Sequence, residues 1–266
     1  MAWDLELPVV GETWDGLLND EYGFHVKPEH AITAMKSATS GPVVEGSVGG
    51  GTGMICHGFK GGIGTASRKV VIEDGEYVVG VLVQCNYGSR RLLNVNGIKV
   101  GQAIVEQPVC FEGTEKPKSI HAADVPACDE KSPPPRNTRR EGSGSIIVIV
   151  ATNAPFLPHQ LHRLARRVPL GIGKMGGLGE DGSGEIFVAF STQPFVKPSG
   201  SNSVPVQQLD NGQMNPFFEA TVQATQEAIL NAMLAAETMT GADRIRVPAL
   251  PKDRFRALIQ HRSKLH

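Results

Sequence analysis

Apolar residues in this chain fall into two kinds of run. In the first they crowd together: Ile146, Ile147, Val148, Ile149, Val150 and Ala151 follow one another without a polar break, and Ile186 to Phe190 do the same. Such runs, short and β-branched, read as buried strands and are too short to cross a membrane. The pattern predicts strands over Ser145–Ala151 and Glu185–Ser191. A further pair is predicted over Lys69–Ile72 and Tyr77–Gln84, around the turn Glu73-Asp74-Gly75-Glu76 with its Asp-Gly hairpin signal. In the second kind of run, apolar residues recur at helical spacing. Leu161 and Leu164 predict a helix over Pro158–Arg167. Phe217, Val222, Ile229, Leu230, Met233 and Leu234 predict a long, alanine-rich one over Pro216–Thr240, ending near Gly241. A third helix is expected over His30–Ser40, opened by Pro28 and closed by Gly41-Pro42. Together these elements predict an α/β chain of the α+β type, with helices outside its sheets.

Residues 102–143 break the pattern. They hold Glu112 to Lys118, Cys128-Asp129-Glu130-Lys131, a run of prolines and then Arg136, Arg139 and Arg140. So polar a tract offers little core and reads as an exposed, partly disordered loop. At its end the chain changes character at once, from Gly144-Ser145 into the strand. A small hydroxyl residue is held at the start of a rigid strand, after a glycine and a flexible stretch. That layout suits a chain that cuts itself before a serine and then uses the serine as an N-terminal nucleophile. The new α-amine, with a reference pKa near 8, serves as base for the hydroxyl beside it. Gly-Ser before a strand is more often a plain loop end, so the junction alone decides nothing.

Composition narrows the classes. At 266 residues the chain is long enough for one large domain with a substantial core. Its formal net charge is -1, from 26 basic and 27 acidic residues, so neither nucleic acid nor membrane is expected as a partner. On the same ground the arginine cluster reads as a solvated face. MAWDLELPVV lacks a basic region followed by an apolar one, so no secretory leader is read there. Cys56, Cys85, Cys110 and Cys128 form no CxxC pair. Free thiols and a cytoplasmic location are expected, with a Cys110–Cys128 pair only under oxidising conditions.

Larger blocks carry a resemblance. GSIIVIVATNAPFLPHQLHRLARR (Gly144 to Arg167) and GSGEIFVAFST (Gly182 to Thr192) resemble the serine half of the DmpA-type L-aminopeptidase/D-esterase family, peptidase family S58. LPVVGETWDGLLND (Leu7 to Asp20), GPVVEGSVGGGTGMICHGFKGGIGTASR (Gly41 to Arg68) and VGVLVQCNYGSRRLLNVNG (Val79 to Gly97) resemble its other half, in the same order. The likeness covers nearly the whole chain except about residues 102–140.

This resemblance implies a four-layer αββα sandwich, related to that of the ornithine acetyltransferases, with its N-terminal part expected to be missing. It divides residues 1–266 into an α-chain-like part, 1–144, and a β-chain-like part, 145–266, of one catalytic domain. The implied activity is a self-processing N-terminal-serine aminopeptidase, needing no cofactor. It would act on short peptides, amino-acid amides or esters through an acyl-enzyme on Ser145, as a homo-oligomer. An acyltransferase on the same sandwich and an inactive truncated homologue are the alternatives; the former favour threonine as nucleophile, and Ser145 counts against them.

By the same resemblance Asn86, which from sequence alone reads equally as an Asx turn, donates to the oxyanion. Ser183 and Glu185, two apart on one strand and so on one face, bind the substrate's free amine. Trp14 stands where the family commonly has a tyrosine, and an indole has one N–H donor and no acceptor. Backbone amides of Gly49 to Gly53 could line the same pocket; no Gly-Lys-Ser/Thr follows them, so they are not a phosphate loop. His159 and His162 fall on the predicted helix, where surface roles are expected.

Overall fold

The structure, a computed structural model, describes residues 9–129, 144–193 and 206–263. In chain order the strands are β1 (Ile55–Cys56), β2 (Phe59–Lys60), β3 (Gly62–Ile72), β4 (Gly75–Asn86), β5 (Cys110–Phe111), β6 (Gly144–Thr152), β7 (Ser183–Ser191), β8 (Met239–Thr240) and β9 (Ile245–Val247). The helices are α1 (Pro28–Ser37), α2 (Val100–Ala103), α3 (Pro158–Ala165), α4 (Val168–Lys174), α5 (Asn215–Ala235) and α6 (Lys252–Ser263).

The two strand pairs expected from sequence merge into one four-stranded sheet, ordered β3-β4-β6-β7. β3, β4 and β6 run antiparallel, whereas β6 and β7 are parallel, with α3 and α4 on the connection between them. Parallel neighbours need such a crossover. β3 and β4 are longer than predicted and meet through a two-residue turn, since Ile72 pairs with Gly75.

Alternation sets the layers. Val79, Val81, Val83, Ile146, Val148 and Val150 point to one face and are at most 3% exposed. Over β3 and β4 that face is covered by α5, whose buried stripe Ala220, Ala224, Ala228 and Ala232 lets the helix backbone come close. At Gly64 an added Cβ would fall 2.0 Å from the Ala228 carbonyl oxygen, so only glycine lets β3 pass under the helix. Each fully buried aliphatic side chain contributes about 1.5–3 kcal/mol, so this layer holds the fold together. The structure is thus of mixed helix and sheet with several sheets, and a helical layer lies on one face of the main sheet.

Two expectations are corrected. Residues 102–129 are not simply an exposed loop: Phe111 and Ala122 are buried with Leu18, Ile245 and Val247 in a second small cluster, and β5 pairs with β9. Residues 130–143, with the arginine cluster, lie outside the described residues. Nor are the thiols free. Cys56–Cys85 and Cys110–Cys128 are disulfides, with Cα separations of 5.6 and 4.9 Å, within the span such bonds bridge. The Cys110–Cys128 pair was expected only under oxidising conditions, and the 29-residue spacing of Cys56 and Cys85 gave no sign of theirs, because folding alone brings those two together. Among the described residues, no helix is long and apolar enough to cross a membrane.

Candidate active site

The site is built at one end of the main sheet, where β4 ends and β6 and β7 begin. Asn86 pairs with Ser145 across β4 and β6, and Ser145 pairs with Gly184 across β6 and β7. Alternation then fixes the faces. Asn86 and Ser145 point away from the helices, on the outer face, whereas Ser183 and Glu185 share the inner face with Ile146. The sequence-derived residues therefore come together only at the strand ends, where both faces can be reached.

Asn86 is held from both sides. Its Oδ1 accepts from the Ile55 amide at 2.7 Å and its Nδ2 donates to the Trp14 carbonyl at 2.7 Å. An amide nitrogen carries two hydrogens, so one remains for a developing oxyanion. The Cys56–Cys85 bond joins the residue after Ile55 to the residue before Asn86 and closes this clamp covalently.

At the junction, the Gly184 amide donates to Ser145 Oγ at 3.3 Å. A Cβ on Gly144 would fall 2.1 Å from the Asn86 carbonyl oxygen. Gly144 is not among the positive-φ glycines, so the glycine is required by close approach rather than by a left-handed backbone. On the inner face Ser183 Oγ donates to Glu185 Oε1 at 2.5 Å, which orients the carboxylate.

Trp14 reaches the site through its backbone. Its indole N–H turns to Glu21 Oε2 at 2.6 Å while its carbonyl holds Asn86. The glycine-rich segment acts as a brace: Gly49–Gly51 forms a short 3-10 turn, and the chain then enters β1, whose Ile55 amide fixes Asn86. His159 and His162 are exposed, as expected.

Sequence reasoning missed two residues. Lys60 is fully buried, and its Nζ donates to the carbonyls of Gly51, Met54 and Gly61 at 3.2, 2.8 and 2.9 Å. Burial lowers its pKa to about 8. The ammonium ties together the loop that leads into Ile55, and nothing in GFKGG announces a buried cation. His57, also fully buried, holds the Ser89 carbonyl through Nδ1 at 3.1 Å. Burial lowers its pKa to about 4, against the smaller upward effect of that bond, so the ring is neutral near pH 7.

The chain is similar to known proteins over nearly its whole length. The chain matches the model of Peptidase family S58 over residues 2–247. It is 48% identical over 259 residues to the beta-peptidyl aminopeptidase BapA of Sphingosinicella microcystinivorans, covering 97% of this chain and 62% of that protein. The BapA of Sphingosinicella xenopeptidilytica is 41% identical over 258 residues, covering 96% of this chain and 60% of that protein. Among solved structures, the L-aminopeptidase D-Ala-esterase/amidase of Ochrobactrum anthropi, described as a variant of the Ntn hydrolase fold, superposes with a TM-score of 0.78 at 36% identity. That match covers 95% of this chain and 62% of its own. The chain thus spans about three fifths of the length of the relatives it matches. A family match over almost every residue, relatives of 48% and 41% identity and a shared fold lead to one conclusion: the chain belongs to peptidase family S58.

Proposed function

We propose that this chain carries the catalytic centre of a self-processing N-terminal-serine hydrolase. It cuts between Gly144 and Ser145, then releases N-terminal residues from short peptides, amides or esters. The observation that carries the reading is the register at the strand ends, with Ser145 opposite a clamped Asn86 and preceded by a glycine that admits no side chain.

In turnover the freed α-amine of Ser145 takes the hydroxyl proton and Oγ attacks the substrate carbonyl, forming an acyl-enzyme with loss of the amine or alcohol. Water then attacks the ester and regenerates the serine. Asn86 Nδ2 donates to the oxyanion of both tetrahedral intermediates. Ser183 and Glu185, beside the position of Gly144, bind the substrate's free amine. The relatives' names point to β-amino acyl residues among the substrates. That the relatives are aminopeptidases, with Ser145 in the nucleophile position, leaves the acyltransferase reading without support here.

Self-cleavage would give pieces of 144 and 122 residues (266 minus 144). N-terminal sequencing of the smaller should read Ser-Ile-Ile-Val. A chain that stays at full mass after long incubation at neutral pH would overturn the reading in favour of an inactive homologue. Asn86→Ala should slow both cleavage and turnover by about 10²–10³-fold, the usual effect of losing an oxyanion donor.

We further propose a homo-oligomer, which sedimentation tests. On location, a cytoplasmic protein would keep its four thiols reduced, whereas disulfides such as Cys56–Cys85 and Cys110–Cys128 persist in oxidising compartments. Alkylating thiols inside cells before measuring intact mass separates the two, with four labels expected in the first case and none in the second.

A further inference from the structure

We infer that the phenol of Tyr87 is a specificity-determining acceptor for a primary ammonium, acting with Ser183 and Glu185 on the inner face beside Gly144. The inference rests on the hydrolase reading above and adds a residue to it.

The placement follows from register. Asn86 pairs with Ser145, and Gly144 pairs with Ser183. One step beyond the end of β4, Tyr87 therefore comes opposite Gly144, and its Cα would lie 3.1 Å from a Cβ placed on that glycine. Tyr87, Gly144 and Ser183 form a row across the strand ends, and Glu185 lies two rows on, the next position on the same face, beside Ile146. Because the middle member has no side chain, Tyr87 and Ser183 stand on either side of one glycine, and the Glu185 charge acts on the Tyr87 phenol.

The phenol itself is unusual. Tyr87 is 3% exposed, with His57 packed edge-on at 4.8 Å between ring centroids. On another side a Cβ at Gly177 would come within 2.5 Å of the ring. The ring is fixed, yet its hydroxyl has no hydrogen-bond partner among the described residues. Buried hydroxyls are nearly always bonded, and an orphan costs about 1–3 kcal/mol. Phenylalanine would fill the same space without that cost, so the polar tip points to a bound group. Burial, with the charge of Glu185 close by, raises the phenol's pKa and keeps it neutral. A neutral phenol oxygen, the Ser183 hydroxyl and the Glu185 carboxylate together present acceptors and a negative charge. The complement of that set is an ammonium with three N–H donors.

Two ammonium groups can stand there. One belongs to the substrate's N-terminal residue. The other is the α-amine of Ser145, which appears when hydrolysis of the Gly144–Ser145 bond consumes one water and leaves a carboxylate on Gly144.

The test compares wild-type and Tyr87→Phe enzyme on alanyl-, β-alanyl- and 3-hydroxypropanoyl-p-nitroanilide, the last having a hydroxyl in place of the ammonium. The variant should cut itself, melt no lower than wild type and lose about tenfold in kcat/KM. If the site holds the substrate's amine, the loss lies in KM and is confined to the two amine substrates. If it holds the amine of Ser145, the loss lies in kcat for all three. The acidic limb of the kcat/KM profile then also moves to lower pH, because the ammonium has lost an acceptor. Unchanged kinetics with an active wild type would overturn the inference alone. A lowered Tm with unchanged kinetics would do so too, by showing that the phenol and His57 bond each other. A wild type that neither cuts itself nor hydrolyses any of the three would overturn the hydrolase reading, and the inference with it.

Discussion

The two faces of the main sheet carry similar apolar residues but serve different ends. On the inner face Val81, Val83, Ile146 and Val148 are buried in the main core, with α5 packed over β3 and β4. On the outer face Ile147 and Ile149 are only partly buried, and Ile186 and Phe190 are 38% and 44% exposed. There the Cδ1 atoms of Ile147 and Ile186 would lie 3.2 and 3.3 Å from a Cβ placed on Gly11. The sealed face supplies stability; the open face presents Ser145 and Asn86. On the proposed reading this division is useful, because a nucleophile must meet substrate and water and so cannot lie on a sealed face. The strand ends would then bring Ser145 on the outer face and the Ser183–Glu185 pair on the inner face to one ligand.

The largest effect should come from removing the outer-face hydroxyl. Ser145→Ala deletes one oxygen from a partly exposed position, so the fold should survive while self-cleavage and turnover fall by on the order of 10⁴-fold or more. Intact mass and a p-nitroanilide assay would show it. Loss of folding in this variant would mean that the junction also carries structure.

The next test sets the faces against each other within one strand. Ile146 is fully buried under the helices, and Ile147, its neighbour, is not. Ile146→Ala should cost about 3–4 kcal/mol and Ile147→Ala about 1 kcal/mol in urea denaturation, since the cost follows the cavity left behind. Equal costs would refute the assignment of faces.

How much of this could be read from sequence depended on whether its cause was local. The strand over Ser145–Ala151 and the helix over Pro158–Arg167 were legible because period and punctuation lie within one window. That β4 and β6 pair, and so bring Asn86 against Ser145, depends on a contact 59 residues apart (145 minus 86). Only the family resemblance carried it. Neither the pattern nor the resemblance carried Cys56–Cys85 or Lys60, whose acceptors are backbone carbonyls that no residue type advertises. The opposite faces of Ser145 and Glu185 follow from parallel register, which a sequence does not print.

His57, packed edge-on against Tyr87, should make the fold sensitive to acid. Its pKa is lowered from 6.5 to about 4 by burial. A group depressed in the folded state contributes stability that is complete above about pH 6.5 and is lost as pH falls through about 4. The contribution at stake is on the order of 3 kcal/mol. His57→Asn should flatten this acid limb: asparagine tolerates the positive φ of 50° at this position and can still donate to Ser89. Urea midpoints measured from pH 7 to pH 4 for both proteins would check it. Parallel curves would show that the acid sensitivity lies elsewhere.

The smallest effect is expected at Ile186, on the open face of edge strand β7. With 38% of its surface exposed, Ile186 has less apolar contact to lose than the inner residues, and threonine keeps the β-branched shape that suits a strand. Ile186→Thr should cost under about 1 kcal/mol, and Ser145 chemistry should slow little, because the changed side chain lies two residues along the strand from the Gly184 amide that meets Oγ. Denaturation midpoints at low and high protein concentration would test both the size of the cost and its origin. A cost above about 2 kcal/mol that appears only at high concentration would mean that a second molecule seats on this face. The contrast between faces would then belong to the isolated chain and not to its assembled form.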